Sequence, residues 1–82
     1  MTAAEAINLI NVGGTDHLRM KLKKYGLEDR MKILRDCIPF VSSSGKSLKF
    51  FKENFSKEIG ALLTANNDIE KAVKLYRKAE NK

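Results

Sequence analysis

Leu48, Phe51, Phe55, Ile59 and Leu62 fall three or four residues apart, a stripe that only a helix can bury along one side. The spacing predicts one long helix over about residues 47–65. One aromatic does not fit. At about 100° per residue, Phe50 points roughly 150° from the centre of the stripe. Its neighbours on that side, within two turns, are Lys46, Lys49, Glu53, Asn54 and Lys57, all polar. An aromatic on a charged helical face either packs beneath another part of the chain or waits for a partner.

The remaining segments read as shorter helices. Thr2 and Glu5 have capping-box spacing, which predicts a helix from Ala3 to about Val12 that Gly13-Gly14 stops. Asp16 or Thr15 is placed to cap a second helix carrying Leu18, Leu22 and Tyr25, and Gly26 suits a left-handed position after its end. A third is expected from about Glu28, with Leu27, Met31, Leu34 and Ile38 aligned and Pro39 ending it. Phe40 to Lys46 reads as a loop, flexible at Ser42-Ser43-Ser44-Gly45, with Ser44 or Ser47 capping the long helix. That helix should end near Ala65-Asn66. Asn67 and Glu70 then repeat the capping box and open a last helix from Asp68 to about Glu80, with Ile69, Ala72, Val73 and Tyr76 facing the core. No sustained alternation suggests a strand. The predicted fold is all-α: one domain, 1–82, of four to five short helices around the longer central helix at about 47–65.

Composition narrows the function classes. The chain has 82 residues, 43% of them hydrophobic, enough for a small core. Sixteen Lys and Arg against ten Asp and Glu give a net charge of +6, which favours anionic partners. The cations cluster modestly at Arg19–Lys24 and Lys71–Lys78. A lone Cys37 forms no internal disulfide and fits a reducing cytoplasm. Neither a bilayer-spanning run nor a signal peptide is expected, so membrane insertion is not.

The motifs that might carry chemistry are incomplete. Gly45-Lys46-Ser47 resembles the end of a phosphate-binding loop, but Phe40 stands where that motif needs glycine. His17 and Cys37 are the only residues of their kinds, so a metal site is unsupported and a Cys–His pair has no orienting group in view. Cys37 reads as a small core residue. No catalytic residue, cofactor or metal is expected, and the chain reads as a non-enzyme. Leu18 to Leu34 has helix-turn-helix spacing, yet Glu28 and Asp29 in the first turn of the recognition helix would repel phosphates. Leu62-Leu63 followed by Asn66 to Val73 looks like the second half of a ubiquitin-associated domain, without its Met-Gly-Phe/Tyr loop. Ala72, Tyr76 and Ala79 look like one helix of a tetratricopeptide unit, without the repeat.

The chain as a whole resembles the lysis-inhibition accessory proteins of T-even phages. The resemblance rests on length, on the opening Met1-Thr2-Ala3-Ala4-Glu5-Ala6, and on Ile38-Pro39-Phe40-Val41 leading into Phe50-Phe51. It implies an antiholin-type helper in the host cytoplasm that binds the cytoplasmic part of the phage holin and delays lysis. It supplies no site residues.

Two functional expectations follow. The first is a protein-binding regulator using Phe50 as an aromatic anchor, with Lys46, Lys49, Asn54 and Lys57 around it. The second is a small basic nucleic-acid-binding regulator using Arg19, Lys21, Lys23 and Lys24. A homo-oligomer through Phe50 and Met20 is compatible with the first.

Overall fold

A computed structural model of the chain describes residues 1–41 and 45–80, which form six α-helices and no strands. They are α1 (Ala3–Asn11), α2 (Thr15–Lys24), α3 (Leu27–Val41), α4 (Gly45–Asn54), α5 (Ser56–Thr64) and α6 (Ile69–Glu80). The all-α class holds, and the helix count exceeds four to five because the expected long helix is two. The radius of gyration, 12.0 Å, matches the roughly 12 Å of a folded chain this long.

The break comes at Phe55, whose backbone (φ −135°, ψ 33°) leaves the helical region. Just before it, the Asn54 side-chain amide donates to the Phe50 carbonyl at 3.0 Å. Asn and Ser compete for backbone groups in this way, and Asn54 and Ser56 flank the break. With the helix broken, the stripe no longer runs straight. In α4 the buried positions are Ser47, Phe50 and Phe51, while Leu48 is turned outward and is 41% exposed. Phe50 therefore belongs to the core, at 6% exposure. Its ring meets Phe51 edge-on at 5.3 Å between centroids.

The centre of the fold also moves. The longest helix is α3, with 15 residues, and it packs against α1, α4, α5 and α6. Pro39 lies inside it, close to its end. There a missing amide donor costs only a bond of the last turn. The chain at Phe40 and Val41, expected as loop, is helical, as is Gly45-Lys46. The expected flexible Ser42–Ser44 and a cap from Ser44 lie outside the described residues. Ser47 is buried within α4 rather than capping it.

The helix ends show how the turns are built. At α1, the Thr2 hydroxyl accepts from the Glu5 amide at 3.2 Å. Its other end closes as a Schellman turn: Gly14 N–H donates to Leu9 C=O at 2.7 Å and Gly13 N–H to Ile10 C=O at 3.3 Å. Gly13 takes the left-handed conformation (φ +85°) that this turn requires. Gly26, expected in that role, does not: no positive φ occurs there. Thr15 opens α2 after Gly14, with no side-chain cap bond. After α5 the same closure recurs with asparagines: Asn67 N–H donates to Leu62 C=O at 2.8 Å and Asn66 N–H to Leu63 C=O at 3.2 Å. Asn66 (φ 56°) and Asn67 (φ 65°) are both left-handed. Asn67 thus ends α5 instead of capping α6. The cap is Asp68, whose carboxylate accepts from the Lys71 amide at 3.3 Å.

Candidate functional site

Both α2 and α4 pack on α1, and a groove of about 380 Å³ remains between them. Ile10 of α1 and Phe50 of α4 supply its apolar surface. Thr15, Asp16 and Arg19 form the α2 edge, and Lys46, Lys49, Glu53 and Asn54 form the α4 edge. The helical period explains the grouping, since residues 46, 49, 50 and 53 recur on one side of α4. Of the five residues expected to bind a partner, the structure brings together Lys46, Lys49, Phe50 and Asn54. Lys57 is not among them: it lies past the break, on α5, and lines other clefts.

Phe50 cannot act as a projecting anchor, because its ring is buried against Phe51 and Phe55, on a helix that packs against α1. It forms instead the floor against which an inserted side chain would rest. Charge is unevenly committed around it. Arg19 and Asp16 pair at 3.1 Å across one turn of α2. Among the described residues, no salt bridge engages Lys46, Lys49 or Glu53. With Arg19 and Asp16 paired, Lys46 and Lys49 outnumber Glu53 on the α4 edge, so the groove presents a small net positive charge to whatever enters.

A second polar cluster escaped sequence reasoning. Arg30 of α3 and Glu58 of α5 meet at 3.2 Å, with side chains 15% and 9% exposed. Within reach of both charges stands Tyr76 of α6. Burial first, then its hydrogen bond to Glu80 and the Glu58 charge, raises the Tyr76 pKa above the ordinary tyrosine value. The signal was available: residues 58, 61, 62 and 65 form the buried face of α5 and its end, a helical repeat that opens on a glutamate.

Neither isolated candidate becomes a reactive centre. Cys37 is fully buried, and burial, with Asp36 adding, pushes its thiol up to about 11. At neutral pH it stays protonated and unreactive. His17 is exposed in the first turn of α2. No group of three potential metal ligands occurs among the described residues, and no helix there is long and apolar enough to cross a membrane. Comparison with family models, with curated proteins and with solved structures returns no match.

Proposed function

We propose that this chain is a non-enzymatic regulator that holds another protein in the α2–α4 groove. The observation that carries the reading is the pairing of an aromatic floor, Phe50, with Lys46 and Lys49 on the rim above it. A partner's apolar side chain would lose water against Phe50 and Ile10, and acidic residues beside it would meet the lysines. The same rim makes the association faster at low salt.

On the resemblance to lysis-inhibition accessory proteins, that partner would be the cytoplasmic segment of a phage holin. Binding there would restrain holin assembly and delay lysis, and the protein would act in the host cytoplasm. Co-expression of holin and this chain, timed to lysis, tests the reading. Lysis should be delayed by the wild type and not by Lys46→Glu/Lys49→Glu; a wild type that gives no delay contradicts it.

The competing reading, a nucleic-acid-binding regulator, draws on Lys21, Lys23 and Lys24 in the last turn of α2. DNA binding that falls steeply between about 50 and 200 mM salt would favour it.

A further inference from the structure

A second groove runs between α5 and α6 and shares no lining residue with the first. Gly60, Ala61 and Thr64 face Leu75, Tyr76 and Ala79 around about 180 Å³. A cavity of about 150 Å³ takes a benzene ring, so this one has room for a large apolar side chain. Leu75, at its edge, is 37% exposed.

Gly60 gives the groove its meaning. It sits inside α5, where glycine weakens a helix relative to alanine. Its φ is not in the left-handed region. A Cβ built on it meets nothing within 4 Å. Neither backbone conformation nor packing within the chain calls for glycine there. A missing side chain does permit another backbone to come close.

The rim states what kind of backbone. Lys57 lines the groove, and no carboxylate does. Lys71 and Lys78, both exposed, stand four residues before Leu75 and three after it, on the same side of α6. A second copy of this chain docking about a two-fold axis would set these lysines against their own equivalents. The charge therefore selects a foreign, acidic partner. We propose that the α5–α6 groove docks an acidic amphipathic helix of another protein. One large apolar side chain would seat over Gly60, and flanking carboxylates would meet Lys57, Lys71 and Lys78.

The test uses the full chain and two labelled synthetic helices with leucines on one face, one flanked by glutamates and one by lysines. Fluorescence anisotropy should show saturable binding of the glutamate peptide alone. Gly60→Leu, whose side chain starts in open space and fills the groove, should weaken it at least about tenfold, as should Lys71→Glu/Lys78→Glu. Circular dichroism checks that each variant is folded. Equal binding of both peptides overturns the proposal, as does a folded Gly60→Leu that binds like the wild type. Association only with vesicles of anionic phospholipid overturns it as well.

Discussion

The rings of Phe50 and Phe55 lie 5.9 Å apart between centroids, tilted by 57°, across the break that separates α4 from α5. A single straight helix would place those two side chains on different faces, since five residues turn it through about 500°. The break folds them together. It converts Phe50 from a candidate anchor into a core residue that also floors the α2–α4 groove.

Phe50→Ala is therefore expected to lower stability by about 3–5 kcal/mol, a large part of the roughly 5–15 kcal/mol available to a small domain. Thermal unfolding would show a fall in Tm of more than about 10 °C. An unchanged Tm would mean that the ring does not fill the core.

Much of the fold was legible because capping and core spacing are local. Thr2 with Glu5, Gly13, and the Leu18–Leu22 and Met31–Leu34 pairs all sit where periodicity and turn chemistry put them. The division of the long helix was not legible, because both new faces begin with a polar residue. Ser47 opens the buried face of α4 and Glu58 that of α5. Hydrophobic periodicity passes over such positions and joins Phe51 of α4 to Ile59 of α5 across a break it cannot register. The candidate site was legible in part: the residues one turn from Phe50 on α4 were identified, while Ile10, Asp16 and Arg19 depend on tertiary packing that no local pattern records.

The Arg30–Glu58 pair ties α3 to α5. Glu58→Ala would leave the guanidinium largely buried without its partner, at a cost of about 3 kcal/mol. Replacing both with apolar residues, as in Arg30→Met/Glu58→Leu, should recover most of that loss. Urea denaturation of both variants measures the difference; a double variant as unstable as the single one would contradict the assignment.

Cys37 supplies the alkaline limit. Burial, with the Asp36 charge adding, raises its thiol pKa from an ordinary 9.0 to about 11 in the fold. Between these values the unfolded chain has lost the proton that the folded chain keeps, so stability falls as pH rises from about 9 to about 11. Cys37→Ala should flatten that part of the stability–pH curve. In the native wild type at pH 8, a thiol-specific reagent should react far more slowly than in denaturant.

Gly60→Ala should raise stability by about 0.5–1 kcal/mol, since the added methyl enters open space in a helix interior. Thermal unfolding reads this directly. A destabilised variant would show that the glycine serves the fold rather than a partner.

Whether Lys46 and Lys49 draw a partner onto the Phe50 floor is tested most directly by titrating a labelled peptide, the cytoplasmic segment of a phage holin, into wild type and Lys46→Glu/Lys49→Glu at low and high salt. Saturable wild-type binding that weakens with salt is expected, with a loss of at least about tenfold, or about 1.4 kcal/mol, in a variant whose Tm is unchanged. Equal affinity for both proteins, or a wild type that does not bind the peptide, would contradict it.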